Sequence, residues 1–141
     1  MEIARFDVEG VPAEYRDALR RELTEPWGFG GKLEHRDSQC LTAADADAFG
    51  RLGRRPEPPG WQQKDCAFTR RANSRTSIDV AGQCATPRGS LTFTVAGIAA
   101  RQSTALTLTF DERFSGPDLQ GAAHWEIVGR SRYAGPCEKR P

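Results

Sequence analysis

Residues 90–110, SLTFTVAGIAARQSTALTLTF, carry the same device twice. Leu91, Phe93 and Val95 take alternate positions with Thr92 and Thr94 between them, and Leu106, Leu108 and Phe110 repeat the arrangement around Thr107 and Thr109. A period of two, built from β-branched and aromatic residues, marks a strand with one face in a core and the other in water.

The same period extends in both directions. Upstream, DCAFTR places Cys66 and Phe68 on one face, and SIDVAGQC places Ile78, Val80 and Cys84 on one face with Asp79 and Gln83 opposite. Downstream, GAAHWEIVGRSRY sets Trp125, Ile127 and Tyr133 against His124, Glu126, Arg130 and Arg132. Short turns at Asn73-Ser74 and Pro87-Arg88-Gly89, and a longer FSGPDLQG connection, imply sequential hairpins. These strands form an antiparallel meander.

The N-terminal half is mixed. IARFDV alternates, with Ala4, Phe6 and Val8 on one face and Arg5 and Asp7 on the other. Pro12 and the four-residue spacing of Val11, Tyr15, Leu19 and Leu23 predict an amphipathic helix over about residues 12–24. PWGFGG ends it, and KLEHRDSQC resumes an extended, polar pattern. Thr42 is placed to cap a short second helix in LTAADADAF, with Asp45 three residues on, and GRRPEPPG at residues 53–60 makes an exposed loop. The expectation is one domain over residues 1–141. It is a β-rich α+β fold of about seven antiparallel strands in a curved or barrel-like meander, with two short helices.

Twenty basic residues, seventeen of them Arg, oppose nineteen acidic ones. The near-neutral balance gives no general attraction to nucleic acid or to an anionic membrane. The longest apolar run, Val95–Ala100, is far too short to span a bilayer. An apolar fraction of 38% promises a modest core, of the kind that covalent staples often supplement.

The four cysteines are separated by 25, 17 and 52 residues, without a CxxC pair. Zinc sites normally supply ligands as close pairs, so disulfides are the better reading. Cys66 shares the face of Phe68, and Cys84 that of Ile78 and Val80. If their strands pair, both sulfurs emerge on one side, given a small register offset such as a bulge near Gly82. Cys40 and Cys137 then form the second pair, although four cysteines permit three connectivities. The chain opens on MEIARFDVEG with no visible signal peptide. Since disulfides persist outside the reducing cytosol, a mature region whose leader has been removed reconciles the two observations.

Several motifs in fixed order resemble one family. EGVPAEYRDALRREL leads a strand into a helix, and SQCLTAADADAF follows a cysteine with a short acidic helix. KDCAF and AGQC bracket a hairpin, and AGPC closes the domain. Together they span about residues 2–138 and resemble domain-of-unknown-function family 3617, small exported four-cysteine proteins of Gram-negative bacteria. The resemblance implies a signal peptide or lipoprotein leader in the precursor and a periplasmic or secreted location. It brings no catalytic or binding residues to carry over. The Gly-x-Trp entry many members show before the first strand is absent. The Met- and Gly-rich stretches common in the family are mostly replaced by Arg and polar residues.

His35 and His124 are the only histidines. Asp37 is in register with His35 and Glu126 with His124, so a His/carboxylate cluster is the one catalytic arrangement to weigh. Surface histidines are the default. No GxSxG, HExxH, P-loop or dinucleotide fingerprint occurs. Asp45, Asp47 and Asp65 lack the spacing of a calcium loop. Trp27, Phe29 and Trp61 sit in Gly/Pro-rich segments, where they either line a ligand groove or plug the end of the sheet. With His124 and Arg130 of the polar strand face, they are the candidate ligand or partner contacts.

The reading is therefore a non-catalytic exported domain with a structural or protein-interaction role, without cofactor or metal. An unknown envelope protein is its expected partner. The alternative is a carrier that encloses a small apolar or lipid-like ligand within the sheet.

Overall fold

The computed structural model describes residues 1–38, 40, 65–72, 74, 76–100 and 102–135. Six strands form one antiparallel sheet: β1 (Glu2–Glu9), β2 (Cys66–Arg71), β3 (Ser77–Thr86), β4 (Gly89–Ala100), β5 (Ser103–Ser115) and β6 (Gln120–Arg132). Their order across the sheet is β1-β6-β5-β4-β3-β2, so β2 to β6 form the expected meander and β1 joins beside β6. One α-helix, α1 (Arg16–Thr24), follows β1.

One row of the register explains what the alternation was for. Phe6 lies opposite Trp125, Trp125 opposite Phe110, and Phe110 opposite Phe93. Phe93 faces Gly82, and Gly82 faces Phe68. An aromatic row thus crosses all six strands, interrupted only at Gly82. There Phe93 and Phe68 close the gap edge to face, with ring centroids 5.8 Å apart. Phe110 and Trp125 stack at 5.0 Å, a geometry that adds to the gain from area burial. Ile127, Leu108, Val95 and Val80 make a second apolar row beside it.

The helix covers this face. Ala, Leu, Arg and Glu favour helix over residues 16–24, and Asp17 complements the dipole in the first turn. Leu19 and Leu23, four residues apart, turn inward and join the cluster of Trp125, Phe110 and Ile127. Pro26 and Gly28 end the helical segment through a short 3₁₀ turn, Gly28 adopting the left-handed conformation at φ 76° that glycine tolerates best. Phe29 then enters the core, and Trp27 packs against Phe110 at 5.5 Å.

Several expectations need correction. Among the described residues the sheet is open: β1 and β2 are its edges, and no ladder joins them into a barrel. The seventh strand, expected in KLEHRDSQC, is reduced to a single bridge between Glu34 and Glu2. Its one large apolar residue, Leu33, is exposed, so the segment has no inward face to bury. The helix is shorter at its start than residues 12–24 implied, because Ala13–Tyr15 form a 3₁₀ turn. That change of pitch swings Tyr15 to 57% exposure while Leu19 and Leu23 keep their places. In β1 a bulge at Ala4 shifts the phase, so Ile3, Phe6 and Val8 face inward and Ala4 does not. Tyr133 lies beyond the end of β6 and is exposed. The second helix, expected from Thr42, lies outside the described residues.

Among the described residues, one disulfide has both partners in view, Cys66–Cys84. The two residues are directly opposite across β2 and β3, with Cα atoms 3.9 Å apart. Ala85 N–H bonds Asp65 C=O beside them, so the cysteines occupy a non-hydrogen-bonded pair, where facing side chains come closest. The expected bulge exists on the other strand, at Thr69, opposite Gly82 and Ala81. Cys40 is also disulfide-bonded. Its expected partner, Cys137, lies outside the described residues.

Candidate functional site

The alternation that fills the inner face leaves the outer face polar. One of its rows reads Asp7, His124, Asp111, Thr92 and Gln83 across five strands. His124 Nδ1 and Asp111 Oδ1 are 2.6 Å apart, on a part-exposed surface. Arg5, Glu126, Thr109 and Thr94 form the neighbouring row. His35 sits elsewhere, beside Met1 just before β1, with its Nε2 3.6 Å from Asp37. Six residue steps along β1 lead from Met1 to Asp7, or about 20 Å at strand rise, so the two histidines do not meet. The His/carboxylate cluster weighed from sequence resolves into two separate His–Asp contacts. Among the described residues, no three His, Cys, Asp or Glu side chains converge as metal ligands would.

The other candidate contacts fall into three places. Phe29 is 2% exposed and Trp27 packs on Phe110, so both belong to the closure of the core between helix and sheet. Arg130 is exposed on the outer face, opposite Ala105. Trp61 lies outside the described residues.

Sequence reading missed a buried charge. Glu112 is 3% exposed, on the inner face between Leu91 and Ala123. Thr86 Oγ1 donates to its carboxylate at 3.2 Å, and Arg88 Nη2 lies 3.8 Å away. Arg88 also donates to Glu22 of α1 at 2.6 Å and stands over the Phe114 ring at 5.5 Å. The two-residue turn at Pro87-Arg88 thus clamps the helix to the sheet through a carboxylate–guanidinium–carboxylate chain. Burial raises the Glu112 pKa above the usual carboxylate value, overriding the opposing pull of Arg88 and of the Thr86 hydrogen bond, while Glu22 raises it further. The signal was present in TALTLTFDERF: 106, 108, 110, 112 and 114 share one phase, and position 112 is the only charge among them.

A third site lies along the side of β1 that faces away from β6. Arg16 Nη2 donates to Phe6 C=O at 2.8 Å, which shows that this carbonyl points away from β6. Between this edge and α1 runs a groove of about 510 Å³, lined by Ile3, Ala4, Phe6 and Leu33 and by the charged side chains Arg5, Arg16, Asp17 and Arg20. Arg5 is paired with Asp7 of its own strand, which leaves Arg16 and Arg20 beside Asp17.

Among the described residues no helix is long and apolar enough to cross a membrane. Residues 6–137 match the profile of a family described as a protein of unknown function (DUF3617). No curated protein and no solved structure matches the chain.

Proposed function

We propose that this chain, which belongs to the DUF3617 family, is a non-catalytic exported domain that works by binding another protein of the cell envelope. The observation that carries the reading is the filled inner face. Phe6, Trp125, Phe110, Phe93 and Phe68 occupy it in one row, and α1 with Phe29 closes over it. An apolar ligand inside the sheet would have to displace those rings, so the carrier alternative gains nothing from the packing. What the fold offers to a partner is the polar outer face and the strand edges, where unpaired backbone groups invite another chain. His124 and Arg130 lie on that outer face.

An oxidising compartment belongs to this reading, with Cys66–Cys84 and Cys40–Cys137 as staples and a leader removed from the precursor. Affinity capture of the tagged protein from Gram-negative envelopes, after cross-linking in the intact cell, tests it. A defined protein recovered in near-stoichiometric amount is the expected result. Recovery of the free monomer alone, or of four reduced thiols in the natively isolated protein, refutes the reading.

A further inference from the structure

We infer that the groove between β1 and α1 binds an extended acidic segment of the partner protein as an additional antiparallel strand. The inference rests on the interaction reading above and specifies the chemistry of the partner.

The edge already accepts a short extended segment at its start. Ile3 N–H bonds Leu33 C=O and His35 N–H bonds Met1 C=O, each at 2.8 Å, with Glu2 opposite Glu34 in antiparallel sense. Continued pairing would carry the chain along β1 toward Phe6. It does not continue, because Gly30 and Gly31 take left-handed conformations, at φ 56° and 80°, and turn the backbone toward Arg21 of the helix. Beyond Ile3, the edge of β1 therefore runs on beside α1 without a strand of this segment upon it. At Phe6 a guanidinium, that of Arg16, occupies the place where a neighbouring strand would present an amide. By the two-residue alternation of a strand, the amide and carbonyl of Val8 share that direction. An incoming strand finds the amide and carbonyl of Val8 there, the mode by which sheet edges capture peptides.

The side chains choose the sequence of that strand. Arg16 and Arg20 line the groove beside Asp17, while Arg5, also in its lining, is paired with Asp7. Asp17 and Arg20 approach only to 3.7 Å, leaving most of the guanidinium fork for another acceptor. Arg16 and Arg20 are one helical turn apart, about 6 Å along the helix. Residues i and i+2 on one face of a strand are about 6.7 Å apart. Carboxylates at every second position of the incoming strand therefore match the two arginines in spacing as well as in charge.

The test uses the whole oxidised chain and three capped octapeptides: alternating Thr-Glu, Thr-Gln and Thr-Lys. Isothermal titration at physiological salt should show binding of the Thr-Glu peptide at least tenfold tighter than of Thr-Gln, with Thr-Lys weaker still. Amide exchange should slow at Val8 when the Thr-Glu peptide is bound. Arg16→Glu with Arg20→Glu should move the preference to Thr-Lys; the wild-type measurements decide the matter if that variant does not fold. Equal affinity for Thr-Glu and Thr-Gln, protection along β2 instead of β1, or a wild-type dimer paired through β1 in sedimentation overturns the inference. Envelope capture separates the two levels. A partner cross-linked to β2 or to the outer face sinks this inference and leaves the interaction reading standing, whereas no partner at all sinks both.

Discussion

Gly82→Ala is the smallest change that tests how the sheet is packed. The substitution adds one methyl group at the single break in the aromatic row. Its carbon would lie 2.5 Å from Phe93 Cζ and 2.8 Å from Ala67 C=O. Carbon atoms in contact prefer about 3.5–4.0 Å, so the Phe93 ring must withdraw by about 1 Å. It has nowhere to go: it is 3% exposed and meets Phe68 edge to face. The carbonyl cannot yield easily either, because Ala67 adjoins Cys66, which the disulfide fixes to β3. Overpacking of this kind costs about 1–3 kcal/mol, which for a chain of this size lowers the melting temperature by about 3–10 °C. Differential scanning calorimetry of the oxidised protein, with urea denaturation as a check, measures it. Phe93→Leu in the same chain removes the ring, so the double variant should recover about 0.5 kcal/mol or more relative to additivity. A Gly82→Ala protein within 0.5 kcal/mol of wild type, or strict additivity with Phe93→Leu, refutes the argument.

Other consequences follow from single residues. Because the folded pKa of Glu112 is raised, its contribution is most favourable below the unfolded value of 4.5 and is lost as pH rises through the folded pKa. Glu112→Gln should therefore be more stable than wild type at pH 7, with the gap closing as unfolding curves are taken down toward pH 4; a gap that grows with acid excludes this account. The Cys66–Cys84 bridge closes a loop with a sequence separation of 18, so Cys66→Ala with Cys84→Ala should cost about 3 kcal/mol by the chain-entropy estimate, read from urea midpoints. Peptide mapping without reduction should yield Cys40 joined to Cys137, and a Cys40–Cys66 peptide would contradict it. The buried indole Nε1 of Trp125 has no hydrogen-bond partner among the described residues, so Trp125→Phe should lose about 1 kcal/mol or less, against about 3–5 for Trp125→Ala.

The strands were legible because burial on one face of an antiparallel sheet forces alternation, and Leu91, Phe93, Val95, Leu106, Leu108 and Phe110 keep that phase in space. Errors arose where the phase slips. A bulge at Ala4 or a 3₁₀ turn at Ala13–Tyr15 changes which side chains face inward while leaving the local sequence equally apolar. Closure of the sheet was not legible at all, since alternation fixes the faces of a strand and says nothing of what lies beyond its edges. The aromatic row depends on register between strands, and the groove beside β1 depends on how α1 lies against it; neither is a property of any one segment. Glu112 is different. Its position in the inward phase of β5 was readable, and only the expectation that a charge faces water hid it.

That buried carboxylate and the outer edge of β1 bear on the same element. Helix α1 is held to the sheet by two unlike arrangements: Leu19 and Leu23 against the aromatic core, and Glu22 through Arg88 to Glu112. A packed apolar seam alone tolerates sliding of a helix along its axis more readily than a seam pinned by a directional ion pair. The pinned helix fixes Arg16 and Arg20 relative to the backbone of β1, and the match between one helical turn and two strand residues holds only at that setting. The cost of burying Glu112 thus has a structural return in a groove whose two arginines stay in register with its edge, where a partner strand would read both together.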